Sequence, residues 1–236
     1  MADSFDAAAA GLREPGNDLD MAGQLLQVIP VTGASVSTLG PMLGTETLSS
    51  SDPQVARLDE LQFDLGEGPC WEALVTGGAV FEPDLQLRPA HAWPAFLAAV
   101  RRERVGAMWA FPLGLGPLRF GAIDLYDVQP RELSEQYTEQ AAVLAEIVSR
   151  RVLRSALERA ADSDGDQDDR NPFSRRVVQQ ATGFVIAQLG VTAQDAELLL
   201  QGRAFVEGRS VRQIAEDVLN RRSGFRLEAD TIEDSS

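Results

Sequence analysis

The residues best equipped for chemistry gather near the C-terminal end of the chain. Arg175, Arg176, Arg203, Arg209 and Arg212 carry guanidinium groups, Gln179 and Gln180 amides, and Thr182 and Ser210 hydroxyls, while Gly183 leaves room for a backbone to approach. Guanidinium forks pair with phosphate oxygens, and arginine planes and side-chain amides stack on and hydrogen-bond the bases of single-stranded loops. The set points to gripping a nucleic acid rather than to breaking a bond. Each member also has a plainer role. Ser210 is first a helix cap, and its helix start also presents N–H groups to phosphate. Arg203 reads equally as a solvated helix-end arginine. Gly183, which costs a helix about 1 kcal/mol against Ala, serves either a close helix packing or an approach to RNA.

Elsewhere the reactive side chains are isolated. Cys70 is the single cysteine and His91 the single histidine, too few for a zinc site, which needs several such ligands. Cys70, beside Trp71 and Leu74, reads as a small buried hydrophobe, with a redox or chromophore-attachment role as the alternative. Asp124 lies in a strand-like run and is a conceivable base, but nothing near it in sequence activates it. Gly-x-Ser-x-Gly and the phosphate-binding loop with Lys are missing, and no Cys/His pair has a recognisable spacing. No catalytic residue, metal or cofactor is expected.

The 236 residues have a net charge of −15, which taken whole argues against a nucleic-acid partner. The charge is unevenly spread. Nine of the 21 basic residues and only five of the 36 acids lie between Arg170 and Arg226, so that stretch is net +4 and the remainder −19. All 21 are Arg, which reads as a coding bias. A single cysteine, no basic leader and no apolar run near the roughly 18 residues of a membrane span favour the cytoplasm.

Elements must position these residues. Residues 1–17, rich in Ala, Gly and Asp, read as a mobile tail, 160–171 as a self-repelling acidic linker, and 227–236 as an acidic tail. Between tail and linker, helical spacing covers 19–29, 55–63, 93–104 and the long 134–159. Strand-like runs cover 34–39, 44–50, 79–81, 107–113 and 118–128, with Pro69 starting a further short helix. This predicts an α+β sandwich over 18–159. Within the long helix, Tyr137, Ala141, Leu144 and Val148 fit either packing on the sheet or a dimer seam. Residues 172–226 predict an all-α three-helix bundle. Asn171 and Pro172 start its first helix, Val177, Ala181, Phe184 and Val185 form the first apolar stripe, and Gly190 and Gly208 end helices one and two. Ser210 with Gln213 forms a capping box.

Two resemblances follow. The run from Val178 to Gly190, then Asp195 to Leu200 with Arg203-Ala204-Phe205, then Gly208-Arg209-Ser210 with Ile214-Ala215 and Val218, resembles the three helices of the ANTAR family over about 172–222. That resemblance implies a dimer that binds tandem RNA hairpins in leader transcripts and prevents premature transcription termination. Leu65-Gly66-Glu67-Gly68-Pro69-Cys70-Trp71-Glu72-Ala73-Leu74, Val80 to Leu85, Trp93-Pro94, Phe111-Pro112-Leu113 and Phe120 to Tyr126 resemble GAF domains over about 18–155. This implies a sensor domain built as an antiparallel sheet flanked by helices, with a cavity for an unidentified small ligand or a role in dimerisation only. Cys70, Trp93, Trp109, Phe111 and Tyr126 are the candidate pocket residues, with core packing as the alternative. The expected partners are hairpin RNA and a second copy, with no membrane. The competing readings are a DNA-binding helix-turn-helix, which Glu216 and Asp217 on the last helix oppose, and a protein-interaction module.

Overall fold

The computed structural model describes residues 2–14, 20–89, 91–161, 175–221, 224–228 and 231–235. The chain divides into two compact units, Met1–Phe173 and Ser174–Ser236.

The first unit contains α1 (Ala2–Arg13), α2 (Met21–Leu26), β1 (Gly33–Thr38), β2 (Glu46–Ser50), α3 (Pro53–Leu65), α4 (Pro69–Thr76), β3 (Val80–Glu82), α5 (Pro94–Val100), β4 (Ala107–Leu115), β5 (Leu118–Asp127) and α6 (Glu135–Ala161). The five strands form one sheet in the order β2-β1-β5-β4-β3, every neighbouring pair antiparallel. Period-two alternation sorts the side chains. Ala34, Val36, Trp109, Phe111, Ile123 and Leu125 face a core shared with α1, α2 and α6. Met108, Ala110 and Tyr126 face the opposite core, with Val55 and Leu58 of α3 and Phe96 and Val100 of α5. Helices therefore cover both faces of an antiparallel sheet, an α+β arrangement.

Helix boundaries follow local chemistry. Asp52 caps α3, accepting from the N–H groups of Gln54 and Val55 at 2.8 and 3.0 Å. Glu67, in the turn before α4, accepts from the N–H groups of Ala95 and Phe96 at 2.9 and 3.0 Å, and so caps the distant α5. Gly68 has φ of 125°, and a Cβ there would lie 2.6 Å from Gln62 Oε1.

Two expectations are corrected, and of the two readings of α6 the packing on the sheet is met. Residues 1–17 are not simply a tail. Within α1, Phe5, Ala8, Ala9 and Leu12 fall at i, i+3, i+4 and i+7 and pack into the sheet–α6 core, and Arg151 of α6 donates to the Gly11 carbonyl at 3.3 Å. Low-complexity composition concealed an amphipathic helix. The α6 residues Ala141, Leu144 and Val148 are buried against the sheet of their own chain, so that seam is not open to a second copy. The described residues of the expected acidic tail, 227–236, take part in a hairpin. β6 (Gly224–Glu228) and β7 (Thr231–Ser235) pair antiparallel, with Leu227 opposite Ile232. Residues 162–171 of the expected linker, and Pro172, lie outside the described residues. Among the described residues, no helix is long and apolar enough to cross a membrane.

The second unit packs α7 (Arg176–Leu189), α8 (Ala193–Glu207), α9 (Val211–Leu219) and the hairpin around one core. Its members include Val178, Val185, Leu200, Ile214, Val218 and Phe225. Gly190 and Gly208 adopt φ of 68° and 64°, the left-handed conformation that ends α7 and α8.

Candidate nucleic-acid interface

Caps orient the helices of the second unit. Thr192 Oγ1 accepts from the Asp195 N–H at 3.2 Å at the start of α8. Ser210 Oγ accepts from the Gln213 N–H at 3.2 Å, and Gln213 Oε1 accepts from the Ser210 N–H at 3.1 Å, completing the capping box of α9. The Ser210 hydroxyl is thus committed to its own helix.

The ten residues singled out from the sequence do not form one surface. Thr182 is buried, its hydroxyl donating to the Val178 carbonyl at 2.9 Å, so it lies inside the bundle rather than on a binding face. Arg203 is buried too. Its Nε donates to Glu207 at 2.7 Å, its Nη1 to the Gly224 carbonyl at 3.4 Å, and its guanidinium lies 5.7 Å from the Phe225 ring centroid. Neither the solvated nor the RNA-facing reading of Arg203 holds, because the hairpin covers it. Arg209 is exposed but clasped by Glu207 at 2.8 Å and Asp217 at 2.6 Å. The two arginines hold the Glu207 carboxyl below its usual range through hydrogen bonds from Arg203 and then Arg209. This chain of charges joins the end of α8, the start of α9 and the hairpin.

What remains clusters on α7. Arg175 and Arg176 are half-buried at its start, and Gln179, Gln180 and Gly183 are exposed. Residues four apart stand above one another on a helix, so Arg175-Gln179-Gly183 and Arg176-Gln180-Phe184 form two adjacent rows. A Cβ on Gly183 would meet nothing within 4 Å, which removes the close-packing explanation for that glycine. Arg212 is half-buried on α9.

Phe184 is a correction with consequences. Its expected place in the apolar stripe is taken by Val178 and Thr182, and its ring is 38% exposed. Phe205, on α8, is 75% exposed. The overlooked signal was the spacing Arg176-Gln180-Phe184, which sets an aromatic on the polar row.

In the first unit the proposed pocket residues are dispersed. Trp109 and Phe111 lie in the α6-side core, and Trp93 and Tyr126 in the opposite one. Cys70 sits in a third cluster with Leu39, Phe63 and Ala122. Each is held by packing. The Tyr126 hydroxyl donates to Asp52 at 3.2 Å, and the Arg88 guanidinium stacks 4.2 Å over Trp93 while bonding Glu72 and Glu82. Burial first, then the charges of Asp124 and Asp59, push the Cys70 thiol well above its ordinary range, the reverse of a reactive thiolate. His91 is exposed. Among the described residues, no group of three or more His, Cys, Asp and Glu is placed to hold a metal ion.

A buried polar cluster that the sequence reading missed lies under α3. Asp59 accepts from Ser35, Ser37 and Thr47 at 2.8, 3.0 and 2.7 Å. One turn on, Gln62 Nε2 donates to Asp124 Oδ2 at 2.7 Å, and Gln62 Oε1 accepts from the Cys70 N–H at 2.9 Å. The available signals were Ser35 and Ser37 alternating on β1 and a lone acid amid Phe120 to Tyr126.

The model of the GAF domain family matches residues 19–152, more than half of the chain. The chain belongs to the GAF domain family. The ANTAR domain model matches residues 172–219, which span α7, α8 and α9. GAF domains are sensors and ANTAR domains are RNA-binding antiterminator modules, so the chain joins a sensor half to a regulatory half. The GAF domain of an Acinetobacter phosphoenolpyruvate-protein phosphotransferase is similar, with a TM-score of 0.52 and 13% identity, over 70% of this chain and 97% of that one. The corresponding domain from Coxiella burnetii has a TM-score of 0.52 and 12% identity, over 68% and 96%. A free methionine-R-sulfoxide reductase from Neisseria meningitidis, solved with its substrate, has a TM-score of 0.50 and 14% identity, over 67% and 90%. At these identities the likeness is one of fold. No curated protein matches the chain.

Proposed function

We propose that the chain is a signal-responsive, non-enzymatic regulator that binds hairpin RNA in leader transcripts and prevents transcription termination. The supporting observation is the outer face of α7, where two arginines, two amides, an open glycine and a part-exposed aromatic stand in adjacent rows. Arginine meets phosphate, the amides bond base edges, and the Phe184 ring offers a stacking surface for an unpaired loop base. The net +4 stretch gives this half attraction for a polyanion that the acidic remainder lacks. The regulator acts in the cytoplasm as a homodimer, so that two ANTAR halves engage two hairpins. A signal received by the GAF half passes along α6, the element that leads in sequence toward the ANTAR half.

The test is fluorescence anisotropy of a labelled stem-loop with the full chain and with Arg175→Ala/Arg176→Ala. The double variant should bind at least about tenfold more weakly, equivalent to ~1.4 kcal/mol. Equal affinity at low salt would remove the α7 face from the proposal.

One observation favours a protein-interaction reading. Leu198, Phe205 and Val206, at spacings of seven and eight on α8, are 57%, 75% and 82% exposed. Cross-linking followed by sequencing discriminates the two, since recovered leader hairpins support RNA and recovery of proteins only supports the other.

A further inference from the structure

Asp59 and Asp124 are 0% and 1% exposed, yet no arginine among the described residues bonds either of them. They come together through the fold. Ser35 on β1 stands opposite Asp124 on β5, and the same Ser35 hydroxyl donates to Asp59 on α3. Gln62, one turn along α3 from Asp59, holds the other side of Asp124. Asp59 accepts three hydroxyl hydrogen bonds, the surroundings of an ionised carboxylate. Asp124 differs. Its Oδ2 accepts from Gln62, while its Oδ1 is fully enclosed and has no partner.

Two ionised carboxylates side by side in this interior, without a cation, would each face desolvation and mutual repulsion. A single proton resolves both problems. Placed on Asp124 Oδ1, it turns an acceptor without a donor into a donor, and the acceptor it serves is the Asp59 side chain, which interacts with Asp124 directly.

We propose that Asp59 and Asp124 hold one proton between them in the folded sensor half, so that a carboxyl–carboxylate hydrogen bond pins α3 to the central strand and loosens when the proton leaves. The inference is independent of RNA binding.

The remaining groups facing the pair come from each element around it. Ser35 and Ser37 on β1, Thr47 on β2 and Gln62 on α3 are neutral partners. Glu60 on α3 adds a negative charge that favours the proton, and the Cys70 thiol on α4 stays protonated. Burial, outweighing its three hydroxyl partners, pushes Asp59 up to about 6, and burial with the Asp59 charge pushes Asp124 well above the ordinary carboxylate range. The folded form therefore holds a proton that the unfolded chain has already released. The pair's contribution to stability is fully present below the unfolded value and is lost as pH rises through the folded one.

Trp71, Trp93 and Trp109 are the only tryptophans, and all lie in the sensor half, so their fluorescence follows its unfolding in the full chain. From pH about 5 to about 8, the melting midpoint of the wild type should fall more steeply than that of Asp124→Asn. The asparagine amide reproduces the protonated state, donating to Asp59 and accepting from Gln62 at every pH. Parallel curves would overturn the proposal. If the variant does not fold, infrared spectroscopy of the wild type decides. A protonated-carboxyl band at neutral pH that disappears in base supports the shared proton, and its absence at neutral pH rejects it.

Discussion

Arg209 Nη2 lies 2.6 Å from Asp217 Oδ2, a contact that ties the residue before the α9 cap to the far part of the same helix. The acid that seemed to repel nucleic acid is thereby occupied, and so is the arginine that seemed poised for phosphate. Arg209→Ala should lower the melting midpoint of the ANTAR half only slightly, since Arg209 is exposed and Asp217 only half-buried, so solvent screens the pair. It should weaken RNA binding far less than Arg176→Ala. Comparable losses from the two variants in a filter-binding titration would return Arg209 to the interface.

Arg203 gives the opposite contrast. It is buried between α8 and the hairpin, so Arg203→Ala leaves Glu207 without that partner and opens the Phe225 contact. A loss of about 2–4 kcal/mol in urea unfolding is expected. The RNA affinity of the fraction that remains folded should stay within about twofold of wild type, a change of ~0.4 kcal/mol.

Gly183 separates folding from binding. With nothing near its missing side chain, Gly183→Ala should stabilise α7 by about 1 kcal/mol. On the proposed binding face the added methyl would stand in the path of the RNA, so affinity should drop while the melting midpoint rises. A variant that is more stable and binds equally well would show that the glycine does not touch RNA.

Phe184→Ala should reduce affinity by about 1–3 kcal/mol if the ring stacks on one base. Because the ring is partly exposed, the accompanying cost in stability should be smaller than for a core phenylalanine. Circular dichroism melts beside the binding curve measure both, and unchanged affinity would remove Phe184 from the contact surface.

Salt dependence reveals how many phosphates the protein neutralises. The slope of log affinity against log salt should be shallower for Arg175→Ala/Arg176→Ala than for wild type, by about 0.7 for each phosphate that the variant leaves unpaired. Identical slopes would show that neither arginine meets a phosphate.

Local rules in the chain determined much of the architecture. Ser210 with Gln213, Thr192 with Asp195, and Gly190 and Gly208 mark helix ends in the second unit because caps and left-handed turns involve residues only a few positions apart. The runs 107–113 and 118–128, set around Gly114-Leu115-Gly116-Pro117, marked the central hairpin for the same reason. Burial is not local. Only packing decided that Thr182 turns inward and Phe184 outward, because a small rotation of α7 exchanges neighbouring positions at the edge of its stripe. Only the hairpin after α9 put Arg203 inside, and only the sheet brought Asp59 to Asp124, 65 positions away in the chain. Helical and strand periods record which residues share a face of an element. Which face is covered, and by what, depends on contacts between segments far apart in sequence.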